Sequence, residues 1–143
     1  MEIIVKSEDL QNSARYFWEQ MKNKERLFAF YGEMGVGKTS LIAALCKAKG
    51  VTEPVTSPTF SLINEYRYTE NGAPKRIFHI DLYRIEDEEE AIRAGVEDCF
   101  YSDDLCFVEW PEKTPGLLPS NRVDIYMYPV NNQTRLLKME FHR

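Results

Sequence analysis

One stretch governs what this chain can fold into. Gly32-Glu33-Met34-Gly35-Val36-Gly37-Lys38-Thr39 fits the pattern G-x-x-x-x-G-K-[ST] without a mismatch. Ahead of it, Leu27 to Tyr31 is a continuous apolar run, which suits a strand buried on both faces, as in a parallel sheet. Behind it, Lys38 to Lys49 reads as a helix closed by Gly50. Strand, glycine turn and helix in that order make a phosphate cradle. The glycines permit backbone conformations and close approach that let successive N–H groups wrap an anion. Lys38 supplies a point charge, Thr39 offers a hydroxyl to Mg²⁺, and the helix directs its positive N-terminal end at the ligand. The pattern predicts a nucleoside triphosphate bound by Gly35, Val36, Gly37, Lys38, Thr39 and Ser40.

The remaining chain reads as more strands than helices. Glu2 to Val5 is a short strand, and a helix runs from about Glu8 to Lys22 with Ser7 as its N-cap. Leu10, Ala14, Phe17 and Met21 share one face of it and read as core. Phe60 to Tyr68 and Lys75 to Leu82 are strand-like and meet at Asn71-Gly72, an antiparallel hairpin signal. Asp87 to Ala94 reads as a helix ended by Gly95, and Leu105 to Glu109 as another buried strand. Arg122 to Tyr128 and Arg135 to Phe141 alternate and meet at Asn131-Asn132, a second hairpin. About seven strands and three helices give an α/β protein with antiparallel additions.

Composition narrows the function. The chain has 143 residues, the usual span of one domain, with 43% hydrophobic and 29% charged residues. A net charge of −5 without any Lys/Arg block makes a poor stand-alone binder of DNA or RNA backbones. No apolar run approaches the ~20 residues of a membrane helix, and Met1 to Lys6 lacks the features of a signal peptide. Cys46, Cys99 and Cys106 have no zinc-site spacing and read as reduced, buried thiols of a cytoplasmic protein.

A phosphate loop needs an acid near Mg²⁺ and a group that orients the attacking water. Asp81 and Glu109 each stand at the end of a predicted strand, where ligands of open α/β sheets sit. Phe107-Val108-Glu109 is the more Walker-B-like, yet position alone leaves open which acid touches the metal. Either could instead pair with a cation such as Arg84. His79, inside a strand, reads as structural before it reads as a base. Ser57-Pro58-Thr59 occupies the place of a γ-phosphate-sensing switch, with a proline-braced turn as the plainer alternative. Asp87 to Glu90 is a solvated helix start, and Trp110 a packing residue.

Four elements in order then resemble the TsaE (YjeE) family: the glycine loop, Val55-Thr56-Ser57-Pro58-Thr59-Phe60, His79-Ile80-Asp81-Leu82-Tyr83-Arg84, and Val108-Glu109-Trp110-Pro111-Glu112. The match covers nearly the whole chain. The resemblance implies one P-loop NTPase-like domain over residues 1–143, a three-layer α/β/α fold. Its central sheet is mainly parallel, with antiparallel hairpin strands at the edges. It also implies a Mg²⁺-dependent ATPase acting with TsaB and TsaD to make threonylcarbamoyladenosine at position 37 of tRNAs reading ANN codons. The tRNA is then reached through the partners, and hydrolysis by the isolated chain is slow. By matching motif, Thr39 and Glu109 hold Mg²⁺, Asp81 serves hydrolysis with Lys38 and Thr59, and Arg135 lies near the nucleotide. Two other readings stay open: a small-molecule kinase, for which no Arg-rich lid is visible, and a nucleotide-gated binding module that does not need hydrolysis.

Overall fold

Leu27–Tyr31 (β2) sits mid-sheet, in keeping with its apolar run: Leu27 to Phe30 are all buried and Tyr31 is half-buried. The computed structural model describes residues 1–21 and 24–142, and in it seven strands form one sheet. Besides β2 these are β1 (Glu2–Lys6), β3 (Ile63–Glu70), β4 (Ala73–Asp81), β5 (Leu105–Glu109), β6 (Arg122–Asn131) and β7 (Thr134–His142), in the order β1-β7-β6-β2-β5-β4-β3. The four central strands, β6, β2, β5 and β4, run parallel. The pairings β6 with β7, β7 with β1, and β4 with β3 are antiparallel. This is the expected α/β architecture.

Alternate side chains of β2 enter two separate cores. Phe28 and Phe30 join the cluster under α1 (Leu10–Gln20) and α2 (Lys38–Ala48), while Leu27 and Ala29 join the one under α3 (Glu88–Arg93) and α4 (Val96–Phe100). The first cluster is aromatic at its centre, with Phe28 and Phe30 at 5.7 and 6.0 Å from Phe107 between ring centroids. The two helical layers thus complete a three-layer packing.

The differences from expectation have local causes. Ser7 does not cap a helix; Ser7–Asp9 forms a 3-10 turn, and the Ser7 N–H and hydroxyl both donate to the carbonyl of Gln133 between β6 and β7. The helix therefore starts at Leu10 and ends at Gln20; its expected end at Lys22 lies outside the described residues. The strand expected from Phe60 starts only at Ile63. The Asp81 N–H still reaches the Leu62 carbonyl, but the Leu82 N–H turns to the Glu109 carbonyl, so the ladder with β4 goes no further back toward Phe60. A further helix, α4, follows Gly95; at five residues it is too short for periodicity to reveal, though Val96, Cys99 and Phe100 are buried.

Two outcomes test this packing. Phe107→Ala should lower unfolding free energy by about 3–5 kcal/mol in urea titrations. Burial pushes the Cys46 thiol up to about 12 and the Cys106 thiol well above its usual value. At pH 8 both then remain protonated, and thiol reagents should label them only at the rate of unfolding.

Candidate functional site

The ends of β2, β4 and β5 meet the start of α2 around a cleft of about 320 Å³. Other concavities are larger, such as one of about 590 Å³ beside Gly50 and Val55, but this cleft is the one that gathers the glycine loop with two strand-end acids among the described residues. Gly37 has φ +109°, a left-handed conformation that L side chains rarely adopt, and it leads directly into α2. Gly32 serves a different need. A methyl group there would lie 2.9 Å from Val36 Cγ1 and 3.1 Å from the Met127 carbonyl oxygen, so the loop packs against the β6 backbone.

Hairpin β6–β7 also grips the loop through Arg135. Its Nε donates to the Val36 carbonyl at 2.7 Å, and one Nη donates to the Asn131 and Thr134 carbonyls. Lys38 folds back, donating to the Gly32 and Glu33 carbonyls, with its Nζ 4.0 Å above the Trp110 ring. Burial lowers the Lys38 pKa, and Glu109, Glu112, Asp81 and Glu33 oppose that shift.

Thr39 and Glu109 come together as expected. The Thr39 hydroxyl lies 2.9 and 3.1 Å from the two Glu109 carboxylate oxygens and 2.9 Å from Ser57 Oγ. Glu109 is buried, and His79 Nε2 lies 2.7 Å from its Oε2. Asp81, paired in register with Glu109, is half-buried, and its Oδ1 accepts the Tyr83 N–H at 3.0 Å. Burial raises the Asp81 pKa; the Tyr83 N–H opposes this and the neighbouring Glu109 carboxylate adds to it. Ser40 and Gly35 line the same cleft.

Thr59 is placed elsewhere. It lies with Phe60, Leu62 and Arg84 on a separate groove, and Ser57 is the loop residue that reaches Thr39. The loop is anchored on both sides of Ser57. Tyr66 and Asn64 bond the Thr56 carbonyl at 3.0 Å each, and Arg84 donates to the Pro58 and Thr59 carbonyls at 3.2 and 2.9 Å. Arg84 thus braces this loop, which sequence reasoning missed; its place three residues after Asp81 in one motif was the available signal. Trp110 was also undervalued. It takes a left-handed φ of +60°, lines the cleft beside Lys38 and packs against Tyr83 at 5.0 Å. The Asp87–Glu90 run is structural: Asp87 caps α3 by accepting the Glu90 N–H. Asp124, Glu140 and His142 also cluster within 4.8 Å, but toward the far end of β6 and β7, where Arg122 and His142 already pair with Asp124.

This constellation can hold a phosphate chain on backbone amides and present oxygen ligands beside it. The profile of the family described as "Threonylcarbamoyl adenosine biosynthesis protein TsaE" matches residues 4–137. A Haemophilus influenzae "tRNA threonylcarbamoyladenosine biosynthesis protein TsaE" is 43% identical over 62% of this chain and 53% of its own length. The Bacillus subtilis protein of that name is 34% identical over 73% and 62%, and the Rickettsia bellii one 30% over 94% and 90%. The match thus spans little more than half the length of the Haemophilus relative. In fold, the chain is similar to the crystal structure of Bacillus subtilis YdiB, at a TM-score of 0.75 and 22% identity over all of this chain and 86% of that one. No helix among the described residues is long and apolar enough to cross a membrane. With the glycine loop, Ser57, Asp81 and Glu109 gathered at one cleft and the profile running over residues 4–137, the chain belongs to the TsaE family.

Proposed function

We propose that this chain is a single-domain ATPase subunit of tRNA threonylcarbamoyladenosine biosynthesis, and that its ATP turnover resets a TsaB–TsaD complex. Family membership and the names of the Haemophilus and Bacillus relatives support the pathway. The observation that carries ATP chemistry is the convergence of Ser57 and Glu109 oxygens within 3.1 Å of the Thr39 hydroxyl, at the first turn after the glycine loop.

The donor set there is all oxygen, which fits the hard cation Mg²⁺. Thr39 and Glu109 would hold it, and bound there it would neutralise charge on the β- and γ-phosphate oxygens. The backbone of Gly35 to Thr39 and the Ser40 region bind the phosphates, and Lys38 leaves its loop carbonyls to contact them as a point charge. Asp81 orients a water whose oxygen bonds to the γ-phosphorus as the bond to the ADP oxygen breaks. Arg135 acts from behind the loop, through Val36. Thr59 takes part through the same anchored segment that carries Ser57. A chain of net charge −5 leaves the tRNA to its partners, and a cytoplasmic setting follows from that role.

Hydrolysis of ATP by the chain alone and with TsaB–TsaD tests this directly. Turnover should be slow alone and rise with the complex, with inorganic phosphate as product. Lys38→Ala should cut it on the order of 100-fold. Asp81→Ala should keep ATP binding and lose hydrolysis. A phosphorylated acceptor, or hydrolysis indifferent to the complex, would point instead to a kinase; an Asp81→Ala variant that still supports tRNA modification would make binding alone the function.

A further inference from the structure

His79 is wholly buried, yet only half satisfied. Its Nε2 lies 2.7 Å from Glu109 Oε2, while its Nδ1 is buried with no hydrogen-bond partner among the described residues. A buried polar atom left without a partner is destabilising, because its desolvation is not offset. An apolar side chain at this position, flanked in register by Asn64 and Phe107, would avoid that cost. Packing alone therefore does not account for a histidine here. What the imidazole adds is one fixed donor to the Glu109 carboxylate. The direction of that bond follows from the contact itself: an unprotonated Nε2 would set two lone pairs against each other across 2.7 Å.

Glu109 needs such a donor. Thr39 has one hydroxyl hydrogen to share between two carboxylate oxygens and Ser57 Oγ, and it loses that role if its oxygen turns to a cation. His79 lies one strand away and two residues before the Asp81–Glu109 register pair, and its Nε2 meets Oε2 from β4 while Thr39 comes from α2. We infer that His79 is a positioning residue that fixes the Glu109 carboxylate for a divalent cation shared with Thr39. The inference rests on the metal reading proposed above. Loss of such an outer partner typically costs 10–100-fold in metal affinity.

The test measures Mn²⁺ binding to the protein–ADP complex by electron paramagnetic resonance, alongside ADP affinity in EDTA and thermal unfolding. His79→Leu removes the donor. His79→Asn keeps a polar group that is too short to reach Glu109, and so covers the case in which the leucine variant does not fold. His79→Gln restores an N–H donor near the position of Nε2. Mn²⁺ affinity should fall about 10–100-fold in the Leu and Asn variants and stay within a few-fold of wild type in the Gln variant. ADP affinity in EDTA should match wild type in all three. Wild-type Mn²⁺ affinity in His79→Leu or His79→Asn overturns the inference. So does a loss shared equally by the Gln variant, which marks a packing role. If the wild-type complex holds Mn²⁺ no better than Glu109→Gln does, the metal reading itself fails, and the His79 role falls with it.

Discussion

The carboxylate of Glu109, a residue with 3% of its surface exposed, sets the terms for the rest of this structure. Burying Glu109 is unfavourable unless its oxygens are bonded, and the fold supplies bonds from two directions. Thr39 comes from the first turn of α2 and His79 from β4. The carboxylate therefore ties together three elements far apart in the sequence. The adjacent, parallel β4 and β5 bring Asp81 and Glu109 to one end in register. The glycine loop is then fixed from the opposite flank by Arg135 and by the close approach of Met127. The cleft lies between two braced walls, one on each side of β2.

Much of this was legible in the sequence. The bounds of β2 and β5 follow from their continuous apolar runs, and the loop between β2 and α2 from its glycines. The acids at the strand ends follow from where ligands sit in open sheets. Which of them meets the Thr39 hydroxyl was not legible, because it depends on which strand end faces Thr39 across the sheet, a fact of strand order rather than spacing. Ser57 and Thr59 look equivalent in Ser57-Pro58-Thr59, and only the loop's path turns one toward Thr39 and the other toward Arg84. Ser7 illustrates the same limit. Its local sequence fits a helix cap, but the Gln133 carbonyl, distant in sequence, takes both of its donors.

Arg84 and Tyr66 show why a loop rich in Ser, Pro and Thr can still be an ordered part of a site. The carbonyls on either side of Ser57 are each taken by a side chain from a rigid strand end or the turn after it. Satisfying those carbonyls removes the alternative of bonding to water, so the loop is held where its hydroxyl is useful. Phe60, immediately beyond the last anchored carbonyl, is fully exposed, and the bracing stops there.

Charge completes the argument for the metal. The residues lining the cleft include one cationic side chain, Lys38, against the two acids Asp81 and Glu109, with Glu33 and Glu112 also acting on Lys38. A triphosphate brought into that field on its own meets repulsion from those acids, opposed by Lys38, the amides of the glycine loop and the positive end of α2. A divalent cation held by Thr39 and Glu109, as proposed, would shift the balance, because it would turn the nearest acid from a source of repulsion into a ligand. The same acids that repel a bare nucleotide would thereby favour a nucleotide bound with its metal, which supports the proposal that Glu109 is part of the phosphate site rather than a neighbour of it.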